Sequence, residues 1–178
     1  MSNSIPNYEA NFYWSSTTES CLISIAVDTL WLDAQCSCQK LAADNSNVWG
    51  RLAHTYSLDT LEFAREQSNS LDKEIFLGYA AKDLQGSPVV LDDYQWYNSY
   101  NEPAGPIVEE PQTISVDNAA HRFGGVRKDA TSSDFTNYKH DDKKKYICEF
   151  MSHPPTKIVA ACQGTSLQMS CQCGKPKV

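Results

Sequence analysis

Residues 82–134 read as one long turn-rich stretch, and this constrains the rest of the chain more than any other feature. Between Gly86 and Pro111 the sequence places six glycines and prolines. Residues of these types punctuate helices and strands rather than extend them. A loop region of this length inside a compact domain is uncommon. Where it occurs it is usually functional, or it is held by a metal or by disulfides. The segments on either side must therefore supply a rigid base.

Those segments carry clear periodicity. Residues 1–18 are polar and read as loose. Residues 21–27 (CLISIAV) read as a short strand rich in branched side chains. Residues 30–43 read as a helix, with Leu30, Ala34, Cys38 and Leu41 at helical spacing and Asp33 in the first turn. DNSN at 44–47 ends it. A second helix is predicted over 57–69, with Ser57 as N-cap and a stripe of Leu58, Leu61 and Ala64. Residues 74–81 (EIFLGYAA) and 143–150 (KKKYICEF) read as strands, and 140–145 (HDDKKK) as a solvated hairpin. Pro154-Pro155 marks a stiff linker, and a new strand-like segment starts at Lys157. The expected organisation is an N-terminal extension over 1–19, a domain over 20–151, a linker over 152–157 and the incomplete start of a second module over 158–178.

Bulk properties exclude several classes. A length of 178 residues suits one domain with something extra, and a hydrophobic fraction of 41% allows a core. The net charge of −7 argues against nucleic acid as partner, because phosphate binding needs a basic face. The apolar run from Leu22 to Val27 is far too short to cross a bilayer, so no membrane insertion by this chain is expected. The N-terminus lacks the basic-then-apolar pattern of a secretory signal, which taken literally says cytoplasm. Seven cysteines, at 21, 36, 38, 148, 162, 171 and 173, point instead to an oxidising compartment. An extracellular or cell-surface location is the reading adopted. The two C-x-C pairs lack zinc-site spacing. The four histidines lie far apart and read as surface or capping residues. No nucleophile or acid–base pair has a supporting neighbourhood, so a non-enzymatic protein is expected.

Four segments in order carry a family resemblance. They are Trp31-Leu32-Asp33-Ala34 followed by Cys38, then Gly50-Arg51-Leu52-Ala53, then Phe76-Leu77-Gly78-Tyr79 with Asp83, and finally Tyr146-Ile147-Cys148-Glu149-Phe150. Together they resemble the C-type lectin-like domain over residues 20–151. The resemblance implies an α+β fold, with two helices, antiparallel sheets and the long loop region, and it implies a Cys38–Cys148 disulfide. The chain departs from the family by extra residues around Asp44 to Trp49. The family's second disulfide is also missing, and its cysteines would fall near Asn118 and His140. Cys21 either pairs with Cys36 or is free. The tail from Ala161 to Cys171 resembles the opening strand of a sea-urchin-egg-lectin-type domain, which binds galactose or rhamnose. That succession is similar to polycystin-like membrane-receptor ectodomains.

The resemblance also names a candidate site. In sugar-binding members an E-P-N or Q-P-D triplet in the long loop and a W-N-D triplet in the next strand supply calcium ligands, and the calcium takes sugar hydroxyls. Here Glu102-Pro103 is present, but Ala104 stands at the amide position. The W-N-D slot falls on Phe135-Thr136-Asn137. The implied metal candidates are Glu102, Asn137 and Asp117, and the implied sugar-binding residues are Glu102, Asn137, Trp96 and Tyr97, the two rings stacking on a sugar face. Calcium takes six to eight oxygens, so a set this depleted is expected to bind it weakly. The function expected is carbohydrate binding. The alternative is a protein-interaction module on a receptor ectodomain, with a protein rather than a glycan as partner.

Overall fold

The computed structural model describes residues 11–43, 49–71, 74–82, 94–97, 103–106, 114–115, 121–127 and 135–151. Strand β1 (Phe12–Ser15) turns through residues 16–19 into β2 (Ser20–Thr29). Helix α1 (Trp31–Ala43), β3 (Trp49–Leu52), α2 (Leu58–Ser70) and β4 (Glu74–Ala81) follow. Then come β5 (Tyr94–Tyr97), β6 (Pro103–Pro106), β7 (Ile114–Ser115), β8 (Phe123–Arg127), β9 (Phe135–Tyr138) and β10 (Lys144–Met151).

The closing strand β10 is the spine. It pairs antiparallel with β2 along one side. On its other side it pairs antiparallel with β3 and parallel with β4. From β4 the sheet runs on through β8 and β9 to β7, while β5 and β6 branch off β4. The sheet is therefore mixed. Sequence reasoning expected antiparallel sheets, and most pairs are antiparallel, while β4–β10 and β7–β9 are parallel. Strand order depends on which distant segments meet, and periodicity within one strand carries no trace of that.

Strand alternation divides the core in two. On β2, Leu22 enters one cluster and Ile23 the other. On β10, Ile147 enters the first, while Tyr146 and Cys148 enter the second. Successive side chains point to opposite faces, so a strand buried on both faces reads as a continuous apolar run. Helix α2 covers the first face with Leu61, Phe63 and Ala64. Helix α1 covers the second with Trp31, Ala34 and Cys38.

Directed polar contacts fix the helices in place. The Trp31 indole Nε1 donates to the Leu77 carbonyl at 2.7 Å, and the Gln35 side-chain oxygen accepts from the Leu52 N–H at 2.7 Å. Ser57 caps α2 as the sequence predicts, and its N–H donates to Thr60 Oγ1 at 3.3 Å. Buried Glu149 ties three strands together. It accepts from Ser20 Oγ at 2.8 Å, Arg51 Nε at 3.0 Å and the His54 N–H at 3.1 Å.

The Cys38–Cys148 disulfide is present, with Cα atoms 5.3 Å apart. In the chain-entropy model, which is itself contested, a closed loop of this length contributes about 4–5 kcal/mol. Cys21 is free. Cys36 is disulfide-bonded, to a residue outside the described ones. Of the two readings for Cys21, the free thiol therefore holds.

Three local expectations change. Residues 12–15, read as loose, form an edge strand, and the turn behind them is closed by Glu19 at φ 51°. The 140–141 turn is not a hairpin, since β9 and β10 do not pair with each other among the described residues. It is closed instead by the Lys139 N–H on Asp142 Oδ2 at 2.9 Å. Among the described residues, the turn-rich stretch 82–134 also contains four short strands, β5 to β8. Each has five residues or fewer, too short for alternation to stand out against turn residues.

Candidate functional site

The base of the long loop region is built from β5, β8 and β9. Gly124 on β8 pairs with Asn137 on β9. Three side chains converge there. The Asn137 amide nitrogen donates to Tyr94 Oη at 2.8 Å, and it lies 3.4 Å from the His121 carbonyl. Tyr94 in turn donates its hydroxyl proton to that same carbonyl at 2.7 Å. The His121 ring closes the group, with Nδ1 3.2 Å from the Asn137 carbonyl. This node locks the start of β8 to β9 and to β5.

A second node fixes the end of β5. His54 is fully buried, and its Nε2–H donates to the Tyr97 carbonyl at 2.7 Å. Burial holds the imidazole well below its usual pKa, and the Arg51 charge adds to that. The bond to Tyr97 opposes both. The ring is therefore neutral, with its proton on Nε2, while Nδ1 has no partner among the described residues. Its face lies 4.8 Å from the Trp96 ring and 5.1 Å from Tyr56. Tyr56 remains 41% exposed, so it forms the outer edge of this aromatic group.

The expected site residues fall in different places. Trp96 and Tyr97, expected to stack on sugar, are 1% and 0% exposed. Being neighbours on β5, they enter opposite core clusters. Trp96 packs edge-on against Tyr79 at 5.3 Å. The Tyr97 hydroxyl accepts from the Gln95 amide at 2.8 Å, and burial raises its pKa. Rings so enclosed offer no free face to a ligand. Asn137 is 2% exposed and bonded as above. Glu102 and Asp117 lie outside the described residues.

Sequence reasoning missed Tyr94, His121, His54 and Tyr56. His54, read as a surface or capping histidine, is a core residue. The available signal was position: Tyr94 stands two residues before Trp96, on the same strand face, and His54 directly follows the Leu52-Ala53 step. Nothing in the sequence says which carbonyl an imidazole will meet.

No protein-family model matches the chain, and no curated protein matches it closely. Solved structures do resemble it. The C-type lectin CEL-I from Cucumaria echinata superposes with a TM-score of 0.57 at 16% identity, covering 85% of this chain and 100% of its own. The cow C-type carbohydrate-recognition domain of CD23, solved in the presence of an oligosaccharide, gives 0.51 at 14% identity, covering 78% and 91%. A Ca2+-dependent type II antifreeze protein in its Ca2+-free form gives 0.52 at 16%, covering 78% and 95%. This chain has the C-type lectin-like fold. At such identities the likeness is one of fold alone.

The C-type lectin-like fold brings calcium into question, and the described residues offer few donors for it. Of the two triplets, the described positions are Pro103, Ala104 and Phe135 to Asn137. Proline, alanine and phenylalanine side chains carry no oxygen. Thr136 and Asn137 are 1% and 2% exposed. Among the described residues no group of three or more His, Cys, Asp or Glu side chains converges. The described residues alone do not supply the six to eight oxygens that calcium takes.

Proposed function

We propose that the chain is a carbohydrate-binding, lectin-like module of an extracellular protein, with no catalytic activity and with calcium affinity too weak to organise the site. The observation that carries the reading is the Tyr94–His121–Asn137 node. It ties β5, β8 and β9 together through side-chain hydrogen bonds, while the sequence keeps few of the family's metal donors. Variable loops on a rigid base are where recognition usually resides. The CEL-I lectin and the CD23 carbohydrate-recognition domain lend the fold-level analogy.

In this reading Glu102 and Asn137 supply polar contacts to sugar hydroxyls, and Asp117 is a further candidate. Trp96 and Tyr97 act from below by shaping the base. Tyr56 is the exposed ring on that side, and an aromatic face in this position stacks on the apolar face of a pyranose. Extracellular placement is supported by the Cys38–Cys148 disulfide. No described helix is long and apolar enough to cross a membrane. The polycystin-like membrane-receptor setting and the second, sea-urchin-egg-lectin-type module rest on sequence resemblance.

The experiment is a glycan array run in calcium and again in chelator, with calcium calorimetry alongside. Glycan binding that survives chelator and falls in Glu102→Ala is the expected result. Micromolar calcium binding lost in Glu102→Ala would restore a metal-dependent site. A second reading, protein recognition, is favoured by Phe12 and Trp14. Both are 59% exposed on the edge strand β1, and edge strands with exposed rings invite partners. Absence of binding on both arms of the array supports that reading.

A further inference from the structure

We infer that the edge strand β1 accepts an extended basic segment of another protein as an added strand. The backbone makes the first case for it. Among the described residues β1 pairs with β2 alone, Phe12 standing opposite Ile23 and Trp14 opposite Cys21. The Asn11 carbonyl accepts from the Ser24 N–H at 3.0 Å, so these two residues form a hydrogen-bonded pair. Bonded and non-bonded pairs alternate along an antiparallel ladder. Tyr13 and Ser15 therefore bond inward to β2, while Phe12 and Trp14 direct their N–H and carbonyl groups away from it. Proteins usually guard such an edge with charge or proline. The residues of β1 (FYWS) include neither.

The pleat gives the two sides of this edge different chemistry. On the α1 side stand the Phe12 and Trp14 rings, each 59% exposed. Their ladder partners Ile23 and Cys21 belong to the core cluster under α1. On the α2 side Tyr13 stacks on Phe63 and donates to Asp59. Glu62 and Glu66, both exposed, continue from Asp59 at helical spacing and form an acidic stripe. Desolvation raises the Tyr13 pKa, and Asp59, Glu62 and Glu66 raise it further, so all three carboxylates act on the strand. Half-buried Arg65 is the only basic residue on the helix.

This division selects the occupant. An incoming strand alternates too, so its apolar side chains meet the two rings while its lysines or arginines meet the acidic stripe. A second copy of this chain fits less well. A two-fold axis at Tyr13 would set ring against ring, but it would also set one acidic stripe against the other, in a chain of net charge −7. The Tyr94–His121–Asn137 node is carried by β5, β8 and β9, so this surface and the glycan reading are tested separately.

Fluorescence anisotropy of the whole protein with a labelled octapeptide alternating lysine and valine tests the inference. Saturable binding is expected, weakening as salt rises and absent for the glutamate–valine counterpart. Phe12→Ser with Trp14→Ser should weaken binding about tenfold, and Glu62→Gln with Glu66→Gln should do the same and flatten the salt dependence. These side chains are exposed, so the fold tolerates both changes. Amide exchange reads the backbone: bound peptide should slow the Phe12 and Trp14 amides. Failure of the lysine peptide to bind would overturn the inference. So would equal binding of the glutamate peptide, full binding in either double variant, or unchanged exchange at 12 and 14. A dimer in sedimentation that Phe12→Ser with Trp14→Ser abolishes would assign the edge to a second copy instead.

Discussion

Single residues set the tolerance of this fold. Gly78 sits where β4 passes under the 52–54 segment, and its N–H donates to the Ala53 carbonyl at 2.9 Å. A Cβ there would meet the Leu52 carbonyl oxygen at 2.5 Å and His54 Cδ2 at 2.9 Å. The first is backbone and cannot swing aside. Gly78→Ala should therefore lower stability by about 1–3 kcal/mol, the usual cost of overpacking, read as a lower urea midpoint. Glu149 is the opposite case, a buried charge with three donors. Glu149→Ala leaves Arg51, Ser20 and the His54 N–H without their acceptor. Breaking one side of a buried pair costs about 3–5 kcal/mol, and the same denaturation series measures it. His54 gives a pH signature. Its folded pKa lies below the unfolded value of 6.5, so the unfolded chain binds the extra proton. Stability from this group is complete above that value and declines as pH falls below it. His54→Gln should flatten the slope of unfolding midpoint between neutral and mildly acidic pH. An unchanged slope would assign the dependence to other groups.

At the scale of elements, the short strands depend on their neighbours. The edge strand β1 is held to α2 by side chains as well as by its ladder with β2. Tyr13 Oη and Ser15 Oγ donate to Asp59 Oδ2 at 3.1 and 2.7 Å, and Tyr13 stacks on Phe63 at 5.4 Å. Ser57 also donates to Asp59, so one carboxylate serves the helix cap and the strand together. Replacing Ser57 by Ala should cost about 1 kcal/mol as a lost N-cap. Asp59→Ala should do more, releasing β1 from α2 as well. Faster amide exchange over 12–15 in Asp59→Ala than in Ser57→Ala would show the coupling, and equal exchange would deny it.

For the whole molecule, the Cys38–Cys148 bond joins α1 to the spine across 110 residues of chain. Cys38→Ser with Cys148→Ser should lose about 4–5 kcal/mol if the loop-entropy account applies, and a smaller loss would indicate residual structure in the unfolded state. Limited proteolysis reads the domain organisation. Cleavage should come first within 152–157. Resistance of the tail equal to that of the core would argue against a boundary there.

Much of the scaffold was legible in the sequence because its signals are local. Helices α1 and α2 follow from the spacing of Ala34, Cys38, Leu61 and Ala64 and from Ser57, and β4 and β10 follow from short stretches rich in apolar and aromatic residues. The Trp31-to-Cys38 and Tyr146-to-Phe150 motifs carried the fold class, and with it the Cys38–Cys148 pair. The candidate site was less legible. A tryptophan next to a tyrosine in a turn-rich stretch looks the same whether it faces solvent or a core, and β5 turned out to be buried on both faces, which removed Trp96 and Tyr97 from the surface. Asn137 was found by its place in the motif, but its partners Tyr94 and His121 lie 43 and 16 residues away. The sequence alone determined α1, α2, β2, β4 and β10 and which cysteines belonged to the motif, because periodicity and spacing act within a few turns of chain. Only the tertiary structure decided the mixed strand order, the burial of the rings and the histidine that holds the loop's base, because each depends on contacts between segments that share no local pattern.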